Sequence, residues 1–358
     1  MRDDFLDFLA CEVEKKEKRE SRKQRKRMSL QDRSQFKWTD RKKLAPQSGF
    51  EKAALGRVIS VQPKISVAYE GTVLACVLPG RFKNQKSHLK TPIVVGDWVR
   101  FDPSKGLVLA IEPRSNAFSR ADNLSRKREQ VIAANVDRVF IVTSLALPSF
   151  KPALVDRYLI AAKKGGVMPC LVVNKCDLLD TCVEEERAHF FEYQRVCSSV
   201  GIPLIVASVK TGEGKEELFR MMQDSVSLFS GQSGAGKTSL INLVADLSLE
   251  TGEMRLKTKK GSHTTTAASL IAMPFGGYCV DTPGIQSFGI WDLEREEICG
   301  HFSEIERCGR ECRFSDCLHM DEPGCVISDC VQQGEISPLR LASYRCLMQE
   351  ADELHRRR

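Results

Sequence analysis

Gly231-Gln232-Ser233-Gly234-Ala235-Gly236-Lys237-Thr238 is the stretch on which the reading of this chain turns. It fits G-x-x-x-x-G-K-[ST] and is bracketed by an apolar, strand-like run at 226–230 and a helical run at 239–245. Strand, glycine-rich turn and helix in that order build a cradle for phosphate. The glycines let backbone N–H groups wrap the anion, and the helix N-terminus, opening beside Ser239, adds partial positive charge. In such a cradle Lys237 reaches the β- and γ-phosphates, and the Thr238 hydroxyl ligates Mg2+.

Three further motifs stand at strand ends. Asn174-Lys175-Cys176-Asp177 follows the apolar run 171–173. A carboxylate at Asp177 can accept both the N1–H and the exocyclic N2–H2 of guanine. Adenine has neither donor and would leave it unpaired, so this tetrapeptide selects the base. Ser208-Val209-Lys210 follows the run 204–207 and resembles the S-A-K loop that covers guanine O6. Val209 replaces the usual alanine, which a loop acting through backbone N–H tolerates. Asp281-Thr282-Pro283-Gly284 follows the run 278–280, with Asp281 expected to hold Mg2+ through water and the Gly284 amide to meet the γ-phosphate. Together the four motifs predict a GTP site that uses Mg2+.

Their order is unusual. The base-reading motifs at 174 and 208 precede the phosphate-binding ones at 231 and 281, whereas ordinary small GTPases run the other way. The domain therefore reads as circularly permuted. The cut sends the chain leaving Asp281 straight into the C-terminal region, where a motion driven by the γ-phosphate could be passed on.

Outward from the motifs, the runs 138–143 and 169–173 are continuously apolar, and Leu154, Val155, Tyr158, Leu159 and Ala162 recur on one helical face between them. Buried strands alternating with helices predict a parallel α/β sheet within a GTPase domain at 116–290. Upstream, short β-rich runs at 56–61, 65–69, 72–78, 97–101 and 106–112 predict a small barrel at 51–115. An oligonucleotide-binding (OB) barrel is the leading candidate, and an SH3-like barrel the alternative. Tyr69, Phe82, Trp98 and Phe101 give it a modest aromatic content, with Phe82 beside Arg81 either a base-stacking or a core side chain. Beyond Trp291 the chain turns polar and cysteine-rich, with helices expected near 292–306 and 338–356.

At 358 residues, 42% hydrophobic and 28% charged, the chain suits two or three soluble domains. No apolar run approaches the roughly 18 residues of a membrane span, and the N-terminus lacks a secretory pattern. A cytoplasmic location without a membrane partner is expected. Residues 1–43 hold 15 Lys/Arg against 9 Asp/Glu, a net +6 of the formal +7. This basic extension, 1–50, is either a solvated tail or an arm that neutralises phosphates. Fourteen cysteines without an export signal read as free thiols in a reducing compartment, one cluster excepted. Cys312-x4-Cys317-x-His319-x5-Cys325 supplies three thiolates and one imidazole, the complement of a closed tetrahedral Zn2+ site in a helical region at 291–358. Spacing alone leaves Cys308 and Cys330 as rival ligands.

The motif order, with NVDRVFIVTS, LVDRYLIAA, GQSGAGKTSLIN, GSHTTT, DTPGIQSF and CRFSDCLHMDEPGC, resembles the bacterial ribosome small-subunit-dependent GTPase A family over about residues 55–345. The resemblance implies a permuted GTPase with an N-terminal OB barrel and a C-terminal zinc domain. It implies GTP hydrolysis in late maturation of the small ribosomal subunit, with rRNA binding and stimulation by the subunit. It also implies Cys312, Cys317, His319 and Cys325 as the ligands of one structural Zn2+. After Gly284, where many regulatory GTPases carry a water-orienting Gln, the chain has Ile285, which cannot orient water. The resemblance points instead to His263, in a motif where Ser262 replaces the family's commoner Arg, and to Thr265 as the switch threonine that senses Mg2+ and the γ-phosphate. A neutral imidazole can accept a hydrogen bond from water near pH 7, while a histidine without a role on a polar loop is the alternative.

The small subunit and its rRNA are the expected partners, with assembly factors as further candidates, and the chain is expected to be a monomer. The alternative function is a guanine-nucleotide-controlled RNA-binding switch whose hydrolysis is incidental. A metabolic P-loop kinase would leave N-K-x-D and D-T-P-G without purpose.

Overall fold

The computed structural model describes residues 53–61, 64–83, 89–122, 128–246, 268–282 and 288–356. The basic extension lies outside the described residues. Each of the five β-rich runs upstream of residue 115 forms a strand: β1 (Ala54–Ser60), β2 (Ile65–Tyr69), β3 (Thr72–Cys76), β4 (Trp98–Asp102) and β5 (Leu107–Ile111), with the one-turn helix α1 (Gly80–Lys83) after β3. They pair antiparallel in the order β3-β2-β1-β4-β5, and a bridge from Val77 to Leu107 brings the two outer strands together. Alternation along the pleat turns Val58, Val67, Val99, Phe101 and Val108 into one core. Gly56 is needed where strands press close, since a Cβ there would lie 2.4 Å from Val67 Cγ1. Phe101 is core, and Tyr69 packs edge-on to it at 5.5 Å. Trp98 and the half-buried Phe82 instead carry the guanidinium groups of Arg57 and Arg81 at 5.3 and 5.0 Å.

A hairpin of β6 (Ala117–Ala121) and β7 (Glu129–Ala134), which the sequence did not announce, leads into the main sheet. There the elements run β8 (Arg138–Ser144), α2 (Pro152–Gly165), β9 (Met168–Asn174), α3 (Glu184–Val200), β10 (Leu204–Val206), α4 (Lys215–Met222), β11 (Val226–Gly231), α5 (Lys237–Ala245), β12 (Ser269–Ala272) and β13 (Tyr278–Asp281). The strand order is β10-β9-β8-β11-β13-β12, and every pairing is parallel except that of β12 with β13. β8, β9 and β11 are apolar on both faces because both faces are covered. Val155, Tyr158 and Leu159 of α2 pack with Phe190 and Tyr193 of α3 on one side. Leu218 of α4 and Leu240 and Ile241 of α5 fill the other.

Pro152 opens α2 without loss of a helical hydrogen bond, and Gly166 ends it at φ 71°. The expected face of α2 is buried, yet Asp156 and Ile160 are buried as well. Ile160 belongs to the core of a C-terminal lobe, made by α6 (Arg295–Ile298), α7 (Ser303–Gly309), α8 (Ile327–Gln332) and α9 (Pro338–Arg356). The single helix expected across 292–306 is broken. Phe302 leaves helical geometry (φ −116°, ψ 80°) so that its ring can pack edge-on to Tyr344 at 5.6 Å. Arg340 of α9 ties this lobe to α2. It is buried, with Nε 2.5 Å from Glu304 Oε1 and a further ion pair to Asp156, which also accepts from the Tyr193 hydroxyl. Phe302 lies under the guanidinium at 4.3 Å. Burial alone would pull the Arg340 pKa down, but Asp156 and Glu304 raise it, so the cation is secured.

Candidate functional site

In a parallel sheet, ligands collect at the carboxyl ends of the strands. Here Asn174 ends β9, Gly231 ends β11 and Asp281 ends β13, on one edge. The phosphate cradle needs its glycines. Gly231, Gly234 and Gly236 take φ of 142°, 78° and 92°, and a Cβ on Gly236 would lie 2.4 Å from Asn174 Nδ2. Gln232 is buried and donates to Ser149 O at 3.2 Å, Ala235 is buried, and Ser233 and Gly234 face solvent. Lys237 is 6% exposed and folds back over the cradle, donating to Gly231 O at 3.2 Å and Gln232 O at 2.9 Å. Burial pushes its pKa down to about 8, against an upward pull from Asp281.

The two described Mg2+ candidates meet: Thr238 Oγ1 donates to Asp281 Oδ2 at 2.9 Å. A hydroxyl and a carboxylate so paired at the mouth of a phosphate cradle are the hard oxygen donors that Mg2+ takes alongside nucleotide phosphates. Thr282 is pinned by a 2.7 Å bond to Phe229 O on the neighbouring strand. His263, Thr265 and Gly284 lie outside the described residues.

The base-reading motifs close over the cradle. Asn174 Nδ2 donates to Ala235 O at 2.8 Å, joining β9 to the phosphate loop. Lys175 takes a left-handed conformation (φ 64°), and its ammonium bonds Leu147 O. Asp177 Oδ1 accepts from Ser208 Oγ at 2.6 Å, and Lys210 Nζ stands 3.9 Å from Oδ2. Cys176 N–H donates to Ala207 O at 3.1 Å, which aligns the two loops, and its thiol donates to Glu213 at 3.0 Å. Burial and the Glu213 carboxylate push that thiol up to about 12, so it is not a nucleophile. Between these groups opens a cavity of about 270 Å3, lined by Asn174, Asp177, Leu178, Val209, Lys210 and Ser239 among others. Leu178 and Val209 offer apolar contact to a flat ring while Asp177 offers a carboxylate. Leu178 and Glu213 were missed by motif reading. Leu178 directly follows Asp177, which was the available signal.

The cysteine cluster also assembles. The donor atoms of Cys312, Cys317, His319 and Cys325 all lie within 4.8 Å of one another. Cys312 Sγ is 3.9 Å from Cys325 Sγ, and His319 Nδ1 is 3.6 Å from each. Around a tetrahedral zinc, two sulfurs at about 2.3 Å stand about 3.8 Å apart, and a sulfur and a nitrogen at about 2.05 Å stand about 3.6 Å apart, so the residues fit the ion. Glu322 fixes the loop by accepting N–H bonds from Leu318 at 3.0 Å and Met320 at 2.7 Å. Cys308 and Cys330 are not in this set. They group separately with Glu335.

The RsgA GTPase family model matches residues 111–291. A Vibrio vulnificus (strain YJ016) protein named small ribosomal subunit biogenesis GTPase RsgA 1 is 41% identical over 249 residues, 69% of each chain. A Flavobacterium psychrophilum protein named small ribosomal subunit biogenesis GTPase RsgA is 35% identical over 295 residues, 80% of this chain and 89% of the other. Among solved structures, YjeQ from Thermotoga maritima superposes with a TM-score of 0.64 at 32% identity, covering 83% of this chain and 98% of its own. YloQ, described as a circularly permuted GTPase, gives 0.60 at 25% identity, covering 86% and 98%. The permuted order of motifs, the geometry at the strand ends and these likenesses converge: the chain belongs to the RsgA GTPase family and is a GTP-hydrolysing enzyme with a circularly permuted fold.

Proposed function

We propose that this GTPase acts in late maturation of the small ribosomal subunit, grips its rRNA and is stimulated by it. The observation that carries the reading is a cavity into which Asp177, held by Ser208 and Lys210, brings its carboxylate, joined to the phosphate cradle by the Asn174–Ala235 bond. The names of the relatives, small ribosomal subunit biogenesis GTPases, supply the partner. Asn174, Lys175, Cys176, Asp177 and 208–210 bind the base, and 231–239 with Asp281 and Gly284 bind the phosphates. Thr238, Thr265 and Asp281 hold Mg2+, which neutralises charge on the phosphates when bound. Lys237 shares that task, and His263 positions the attacking water.

The order β1-β2-β3-β5-β4-β1 around the first sheet, with its Val77–Leu107 bridge, supports an OB-type barrel as the rRNA-binding module. The Cys312 cluster holds structural zinc with no open position. The proposed division is extension 1–50, barrel 51–115, GTPase domain 116–290 and zinc lobe 291–358. The protein works as a cytoplasmic monomer. No helix among the described residues is long and apolar enough to cross a membrane. The test is co-sedimentation and footprinting on purified small subunits with a non-hydrolysable GTP analogue. A discrete rRNA footprint that is lost with GDP supports the reading; binding to small and large subunits alike contradicts it.

Lys237 makes nucleotide affinity pH-dependent. Burial holds its pKa at about 8, and a bound phosphate would raise it, so binding above pH 8 takes up a proton. Affinity is flat below about pH 7.5 and should fall up to about tenfold per pH unit beyond 8. Titration of a fluorescent GDP analogue from pH 7 to 9 measures this, with Lys237→Arg flat across the range.

Gly309 abuts the zinc site. A Cβ there would lie 2.6 Å from His319 Nε2, on the side of the ring away from the ligating Nδ1. Gly309→Ala should displace the imidazole and weaken zinc binding by about 10–100-fold, as read by chelator competition.

A further inference from the structure

We propose that Cys308, Cys330 and Glu335 form a second zinc site, with three protein ligands and a water, separate from the Cys312 cluster. The donor atoms of the three residues lie within 4.8 Å of one another. Cys308 Sγ stands 3.5 Å from Glu335 Oε2. Sulfur and oxygen ligands at 2.3 and about 2.1 Å around a tetrahedral zinc would be about 3.6 Å apart. The Cys308–Glu335 separation already matches that of two ligands on one ion.

The backbone builds this arrangement. Cys308 lies in the last turn of α7 and Cys330 in α8. The chain then leaves α8 through a left-handed Gly334 (φ 78°), with Gly334 N–H bonded to Val331 O at 3.0 Å and Glu335 N–H to Cys330 O at 2.9 Å. That pair of bonds is the Schellman ending of a helix, and here it brings the Glu335 carboxylate to the Cys308 thiol, beside Cys330. Both cysteines are buried, 4% and 8% exposed, while Glu335 is exposed. The site is dry on the thiol side and open on the carboxylate side, where water completes the tetrahedron. Two thiolates with one carboxylate suit a borderline-soft divalent ion, which excludes Mg2+ and Ca2+. On binding, two S–H protons pass to solvent as two Zn–S bonds form.

An open coordination position makes this ion the more labile of the two. It clamps α7 to the turn after α8, one helical turn before Cys312, so its loss would loosen the base of the first cluster. The test uses the full chain equilibrated in a zinc buffer, with metal counted per chain during stepwise chelation. Two zinc ions are expected, one released ahead of the other. Cys308→Ser with Cys330→Ser should remove one equivalent and leave the other. Glu335→Gln, a surface change that spares the lobe core, should weaken the early-released ion at least about tenfold. The proposal is overturned if zinc content and release are the same in wild type and Glu335→Gln, or if the wild type holds no more zinc than the double cysteine variant. If Cys308 and Cys330 are instead recovered as a disulfide from reduced, zinc-equilibrated protein, the site is a redox pair and the proposal fails as well.

Discussion

Asp177→Asn should exchange guanine for xanthine nucleotides. In wild type the Asp177 carboxylate is aimed into the cavity by Ser208 Oγ at 2.6 Å, with Lys210 at its other oxygen. Guanine offers two donors to it, N1–H and N2–H2. An Asn amide keeps one acceptor but sets an N–H2 donor against guanine N2–H2, so one charge-assisted bond becomes neutral and the other becomes a clash of donors. Each charge-assisted bond is worth about 1.5–3 kcal/mol, so GDP affinity should fall by two to four decades, about 3–6 kcal/mol. Xanthine carries a carbonyl where guanine has its amino group, and the Asn N–H2 would donate to it. Dissociation constants of the variant for GDP and XDP measure the exchange. Equal loss for both would mean that Asp177 shapes the loop rather than reads the base.

Arg340→Ala should cost about 3–5 kcal/mol of stability, the largest effect expected away from the nucleotide. The substitution leaves Asp156 and Glu304 buried without their shared cation, and removes the guanidinium from the face of Phe302. Urea unfolding followed by fluorescence and circular dichroism reads the loss. A double-mutant cycle with Glu304→Gln should recover part of it, because the second substitution removes a charge that has lost its partner. Since Asp156 lies on α2 and Arg340 on α9, the lobe should loosen from the sheet before the sheet unfolds. GDP affinity in the folded variant should stay within about twofold, for no member of the network lines the nucleotide cavity.

What was legible in the sequence was what strand ends and glycines encode locally. Gly231–Thr238 could be read because its glycines must adopt positive φ, and Asp177 because its position after an apolar strand fixes its direction. The strands of the first sheet were legible as short β-rich runs. The helix near 292–306 was misread because the break at Phe302 is driven by a ring on α9, 42 positions downstream at Tyr344. The β6–β7 hairpin was missed because AFSRA mixes polar and apolar residues without a clear period. Arg340, Asp156 and Glu304 could not be paired in advance, being separated by 184 and 36 residues. Cys308 and Cys330 looked like rivals for the first cluster, and only the three-dimensional arrangement sorted them into a set of their own.

The permuted order has a mechanical consequence. β13 ends at Asp281, which pairs with Thr238 of the phosphate cradle, and the chain continues toward the lobe that carries the cysteine cluster. The phosphate cradle thus has a short covalent route to the C-terminal lobe, which the Arg340 network also ties to α2.

On the proposed reading, hydrolysis is the protein's work and the small subunit triggers it. Multiple-turnover GTP hydrolysis with purified small subunits, with large subunits and with no ribosomal particle tests this most directly, alongside His263→Ala at matched GTP occupancy. Slow turnover alone, stimulation of at least about a hundredfold by small subunits only, and loss of most of that stimulation in His263→Ala are expected. Turnover that is unchanged by small subunits would contradict it and leave a nucleotide-controlled RNA-binding switch.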